Sequence, residues 1–138
     1  MKKSQGFTLI EILVVVTIIV LLTASAVVTY SIFFKQARDA KRKTDLEQVR
    51  AALEMYRSNN DTYPVGLSWA ILSSLTSPVI YIQSLPSDPK NPTYSYYYSG
   101  DGDTYTLCAA LELDTSGACG GASCGSGITC NYQLTSPL

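Results

Sequence analysis

From Phe7 to Phe34 the chain is almost unbroken apolar sequence, interrupted only by the ionisable side chains of Glu11 and Tyr30. As a helix this stretch would measure about 42 Å, while a bilayer core of about 30 Å is crossed by about 20 residues. It can therefore span a membrane and protrude from it. The pattern then changes without an intervening glycine or proline. Over residues 35–60, Val49, Ala52, Leu53 and Tyr56 recur at helical spacing, Leu46 and Ala40 extend the stripe, and charged residues occupy the opposite face. That is an amphipathic helix. The pattern predicts one helix from about Phe7 to Ser58, stopped at Asn59-Asn60-Asp61, where an asparagine can take the left-handed cap.

Beyond Tyr63-Pro64 the pattern shortens. Residues 68–76 read as a short helix with Ser68 as N-cap and Trp69, Leu72 and Leu75 inward. Leu85-Pro86-Ser87-Asp88-Pro89 is turn-rich. Tyr94, Tyr96 and Tyr98 alternate with Ser95 and Tyr97, a period-two signal. Gly100-Asp101-Gly102-Asp103 predicts a hairpin turn. Thr104–Leu113 then places Tyr105, Leu107, Ala109, Leu111 and Leu113 on one face, and Ile128–Leu134 forms a last strand. The order of long helix, short helix and antiparallel strands implies an α+β fold, with one face of a small sheet packed on the helix.

Charge divides the chain in two. Residues 1–43 hold seven Lys/Arg against Glu11 and Asp39, and residues 44–138 hold three against nine acids. The acidic head argues against nucleic acid as a direct partner, because phosphate neutralisation needs a basic surface. The chain has no histidine. That removes the most frequent general base and every Ser-His or Cys-His pair. No catalytic constellation is present, so the expectation is a non-enzyme without a cofactor. Cys108, Cys119, Cys124 and Cys130 are clustered and even in number, which reads as two disulfides in an exported head. Of the three pairings, Cys108–Cys130 and Cys119–Cys124 are preferred: the first staples the last two strands and the second closes a small loop. Zinc is the weaker alternative, since no C-x-x-C pair occurs. Asp101 and Asp103 raise a calcium alternative to the plain hairpin turn. The tyrosines at 94, 96, 97 and 98 are read as half-buried sheet surface, with an adhesive patch as the alternative.

The extreme N-terminus reads Lys2-Lys3-Ser4-Gln5-Gly6-Phe7-Thr8-Leu9-Ile10-Glu11 and leads into the apolar run. The basic leader, the glycine, the phenylalanine, the glutamate and the run, in this order, resemble the signal of type IV prepilins and type II secretion pseudopilins. Ala37 through Tyr63-Pro64, then the Leu85–Pro89 turn and the tyrosine-rich hairpin, are similar to the head of the major pseudopilin. The resemblance implies a leader of residues 1–6, a transmembrane or filament-core helix over 7–34, its amphipathic half over 35–60, and a head over 61–138. It implies cleavage after Gly6 on the cytoplasmic side by a prepilin peptidase, methylation of the new Phe7 amine, and polymerisation of the chain with itself. An inner-membrane assembly platform, minor pilins and membrane lipid are the other partners implied. The protein is thereby placed in the inner membrane as a single-pass chain with an exported head, then in a pseudopilus that supports protein export. A surface type IV pilus is the alternative. A secreted or anchored module cleaved after Ala24-Ser25-Ala26 is the remote one.

Glu11 acquires a role in this frame. A carboxylate at mid-bilayer costs about 2.5–3.5 kcal/mol on insertion scales. In the family this glutamate meets the N-terminal amine of a neighbouring subunit and sets axial register. Two features depart from simple expectation. Many relatives carry a proline near the position of Val28, and its absence predicts a continuous helix. Lys35, Arg38, Lys41, Arg42 and Lys43 follow the apolar run, where the positive-inside rule alone would favour the opposite orientation. Arg38 and Lys41–Lys43 are read as a solvated face, or as lying against headgroups or the acidic heads of neighbours.

Overall fold

The structure, a computed structural model, describes residues 6–114 and 119–137. The element order is α1 (Leu9–Asn60), a 3₁₀ helix (Trp69–Leu75), β1 (Tyr97–Gly100), β2 (Tyr105–Ala109) and β3 (Tyr132–Thr135). The arrangement is α+β, as the patterning implied. The chain divides into two compact units, Met1–Lys35 and Gln36–Leu138.

In the first unit α1 is helical from Leu9 onward with no break at Val28, and every residue with described burial is exposed. Its described apolar side chains stay exposed: Leu9, Ile18, Leu21 and Phe33 all lie more than half exposed, and Phe34 meets the Tyr30 ring edge-on one turn away. Helical hydroxyls fold back onto their own backbone, Thr17 to Val14, Thr23 to Ile19, Ser25 to Leu21 and Thr29 to Ser25. Each donor is thus satisfied without water, as a helix in lipid requires.

In the second unit Leu46, Val49, Ala52 and Leu53 of α1 pack with Tyr63, Leu72, Leu75, Tyr96, Tyr98, Tyr105, Leu107 and Ala109. Ala40, expected on this stripe, is exposed; Asp39, Arg42 and Asp45 are buried instead. The helix ends as Asp61, not an asparagine, takes the left-handed conformation (φ 58°) and donates its N–H to the Arg57 carbonyl. Ser68 caps the 3₁₀ helix through the Ala70 amide, with Leu72 and Leu75 buried and Trp69 packed at the core edge.

The sheet order is β1-β2-β3, antiparallel throughout, with Tyr98 opposite Leu107 and Leu107 opposite Leu134. The hairpin joins Gly100 to Tyr105. Gly100 is required by close approach: an added Cβ would fall 2.2 Å from the Tyr98 hydroxyl and 2.5 Å from the Pro64 carbonyl. The predicted strand over 104–113 stops at Ala109. There the Asn131 side chain pairs with both the amide and the carbonyl of Leu111, and Asp39 accepts the Glu112 and Leu113 amides. The backbone leaves the sheet for the helix because those partners outbid a third ladder.

The four cysteines form two disulfides, but the preferred pairing is corrected. The bonds are Cys108–Cys119 and Cys124–Cys130. Register is the reason. Cys108 lies opposite Gln133, three residues past Cys130. Cys130 sits before β3 and donates to the Ala122 carbonyl, while the Cys124 amide bonds Ile128, so 124–130 is a closed turn. Both bridges share a small second core with Ala110, flanked by Tyr94, Tyr97, Ala122 and Ile128. Tyr96 and Tyr98 are core residues, so the four tyrosines are sheet and core packing rather than one exposed patch.

Candidate functional site

Thr8 precedes the first helical residue, Leu9, and Glu11 is the third. The Thr8 amide (3.0 Å) and hydroxyl (2.9 Å) both donate to Glu11 Oε2, and the Glu11 amide donates to Thr8 Oγ1 (3.4 Å). This is a reciprocal capping box, satisfying amides that a helix start otherwise leaves open. The carboxylate also sits at the helix end that favours negative charge. Phe7 and Gly6 precede the helix and are exposed, Phe7 at 83%, and nothing lies within 4 Å of a Cβ added at Gly6. The Gly6–Phe7 bond therefore lies in exposed chain outside the helix. The helix starts two residues later than the sequence pattern suggested, because Thr8 is the cap.

A second polar constellation lies where α1 enters the head. Arg42 is 0% exposed. Its Nε and Nη2 form a two-pronged pair with Asp88 at 2.7 and 3.0 Å, and its Nη1 reaches Asp39 (2.8 Å) and Glu112 (3.1 Å). Arg38 grips Glu112 with two bonds, 2.6 and 2.7 Å, and Lys90 Nζ adds a third at 2.8 Å. Tyr94 lies under the Arg42 guanidinium, 4.8 Å from ring centre to Cζ. Burial pulls the Arg42 proton affinity down, but the bonds to Asp88, Glu112 and Asp39 outweigh it and raise the pKa above its ordinary value. Arg38, then Lys90 and Arg42, hold the Glu112 carboxyl well below the usual carboxylate range. The basic face expected to be solvated, or to meet lipid or neighbouring heads, thus binds the chain's own acidic loops at Arg38 and Arg42. Lys41 and Lys43 remain exposed.

Further along the helix, Glu54 accepts bonds from the hydroxyls of Tyr63 and Tyr105, and Asp45 accepts one from Tyr96 at 2.8 Å. Burial, reinforced by the nearby carboxylates, raises the pKa of Tyr96 and Tyr105. In the hairpin, the Asp101 carboxylate accepts from the Asp103 amide, the Thr104 amide and the Thr104 hydroxyl. Those bonds build the turn itself. Among the described residues no group of three or more His, Cys, Asp or Glu side chains is placed to hold a metal ion.

The N-terminal geometry and the two-part fold agree with the comparisons. The prokaryotic N-terminal methylation motif matches residues 1–27. The type II secretion system protein G model matches residues 32–124. The chain belongs to the type II secretion protein G family. Type II secretion system core protein G of Vibrio cholerae is 35% identical over 93% of this chain and 92% of its own length. The Pseudomonas aeruginosa protein of that name is 32% identical over 88% and 90%, and the Escherichia coli K12 one 34% over 78% and 81%. No solved structure matches the chain. As a member of this family the protein is a pilin-like structural subunit, a pseudopilin of type II secretion, and self-assembly into a filament follows from that class. The surface pilus and secreted-module alternatives give way to it.

Two features of this pseudopilin escaped the reading of its sequence. The Thr8-x-x-Glu11 box has a plain signature, Thr followed three residues later by Glu before an apolar run. The Arg42 cluster had a weaker signal: Asp39, Arg42 and Asp45 continue the spacing of the Leu46–Tyr56 stripe. Their partners at 88 and 112 are distant in sequence and carry no local signature.

Proposed function

We propose that a prepilin peptidase hydrolyses the Gly6–Phe7 peptide bond at the cytoplasmic face of the inner membrane. One methyl group is then transferred to the new Phe7 amine, and the mature pseudopilin polymerises through its apolar helix. The observation that carries this reading is the Leu9–Phe34 segment: apolar along its length, exposed wherever its burial is described, and bearing one carboxylate, at its start. In a bundle of such helices Glu11 is the group able to pair with the charged amine of a neighbouring Phe7. Removing one partner from a poorly solvated ion pair strands the other, so the pair sets axial register. The capping box gives the same carboxylate a role in the single subunit, holding it at the helix start where an amine can approach. The head faces the periplasm, minor pilins and an assembly platform act as partners, and residues 1–6 serve only as leader.

Intact mass and N-terminal sequencing of protein taken from its native membrane test the proposal. N-methylphenylalanine at residue 7 is the expected result. An N-terminus at Val27 would identify ordinary signal-peptide processing, and an intact Met1 a plain anchor; either overturns the reading.

A further inference from the structure

We propose that heads of copies stacked one above another along the filament, rather than of the neighbours paired through Glu11, join end to end, with the Val79–Ile80 loop of one copy seated in the cleft beside Leu111 and Leu113 of the copy stacked on it. This rests on the filament reading and adds the contact that links heads. The two surfaces lie at opposite ends of the head's helical segment. At the Asp39 end, the Leu113 amide is held by the Asp39 carboxylate, and an open cleft of about 300 Å³ is lined by Gln36, Ala40, Lys43, Leu111 and Leu113. At the Asn60 end, Asn59 and Asn60 both donate to the Tyr81 hydroxyl, which fixes the preceding Val79 and Ile80 beside the helix terminus. These two stand out into solvent at 50% and 70% exposure. Asp39 and Asn60 are separated by about 31 Å of helix at 1.5 Å per residue. Contact between such unlike surfaces is heterologous. It leaves each new copy with one surface free, so it propagates as an open filament when the operation does not close.

Charge selects the same partner. Asp61, Asp101 and Asp103 are exposed, and the Gly102 carbonyl accepts from the Tyr63 amide and the Thr62 hydroxyl, which keeps the hairpin at the Asn60 end. At the Asp39 end the carboxylates of Asp39, Asp45, Asp88 and Glu112 are already bonded by Arg38, Lys41, Arg42, Lys90, Tyr96 and backbone amides. Lys41 and Lys43 reach solvent there, and Asp114 lies at the cleft. A second copy therefore offers an apolar filler to the cleft and carboxylates to exposed ammonium groups.

All four cysteines are paired, so introduced thiols react alone. The full-length chain carrying Ile80→Cys and Leu113→Cys is assembled in its native membrane, and the filaments are treated with a short bismaleimide. The expected result is a ladder of dimers, trimers and higher species on a reducing gel, absent from either single variant. Normal filaments without a ladder would overturn the contact, and cross-linked dimers from either single variant, whose one thiol per chain permits nothing larger, would show a like-to-like contact instead. Failure of the unsubstituted chain to form filaments would be visible before cross-linking and would overturn the filament reading, and this contact with it. As a second measurement, Lys41→Glu with Lys43→Glu should lower filament yield severalfold, and adding Asp61→Lys with Asp103→Lys should restore it. No restoration would count against the charge pairing.

Discussion

Glutamine at position 11 separates the cap that Glu11 makes from the assembly role proposed for its charge. Its side-chain carbonyl can still accept from the Thr8 amide, and glutamine serves at this position of a capping box. The charge is gone. Glu11→Gln should therefore insert, be cleaved and keep its helix start, yet yield far fewer filaments than the unsubstituted chain, as counted by electron microscopy. Filaments at the unsubstituted level in the glutamine variant would assign Glu11 to the cap alone. Thr8→Ala is the complementary change: it costs the helix start about 0.5–2 kcal/mol and leaves the charge. At Gly6 the expectation is steric. The bond to Phe7 lies in exposed chain, and a peptidase reaching that backbone meets a Cβ only after substitution. Gly6→Val should leave full-length protein in the membrane fraction, read as uncleaved mass.

Between elements, the attachment of α1 to the head has two chemical regimes. From Leu46 to Leu53 it is apolar packing; from Arg38 to Asp45 it is ion pairs. Asp88→Ala leaves Nε and Nη2 of the buried Arg42 without acceptors while Nη1 keeps Asp39 and Glu112, so it should destabilise the head by about 1–3 kcal/mol. A joint apolar replacement, Arg42→Met with Asp88→Leu, should cost much less, and chemical denaturation of both variants checks the difference. The disulfides close short loops, Cys108 to Cys119 and Cys124 to Cys130. By chain entropy each is worth about 2–3 kcal/mol. Peptide mapping without reduction should recover those two pairs, and a Cys108–Cys130 peptide would contradict the register of β2 on β3. The long helix, the Ser68-capped turn and the hairpin were legible in the sequence, because periodicity, a cap and Asp-Gly chemistry are local signals, whereas Tyr96 and Tyr98, read as half-buried sheet surface, are core residues. The strand ends and the cysteine pairing were not legible. Ala109 stops β2 because Asn131 and Asp39 capture the next amides, and both come from distant parts of the chain.

For the whole molecule, pH acts from two sides. The folded pKa of Glu112 lies below its unfolded value of about 4.3, so its stabilisation is present above that pH and is lost as pH falls. Tyr96, Tyr98 and Tyr105 have folded pKa values raised above the unfolded value of about 10, burial being the largest cause. Their contribution is full below about pH 10 and disappears as pH rises further. Melting temperature should therefore fall below about pH 4.5 and above about pH 10, with tyrosinate absorbance appearing together with alkaline unfolding. The partners of Arg38 and Arg42 have a further consequence. Asp88 and Glu112 follow these arginines by 46 to 74 residues. Contacts so distant along the chain form late in folding. While the chain is still emerging, Arg38 and Arg42 lack these two acidic partners, and their charges stay uncancelled until the head folds onto them. The cluster is thus a timer as well as a clasp: it closes only on a subunit whose head has folded.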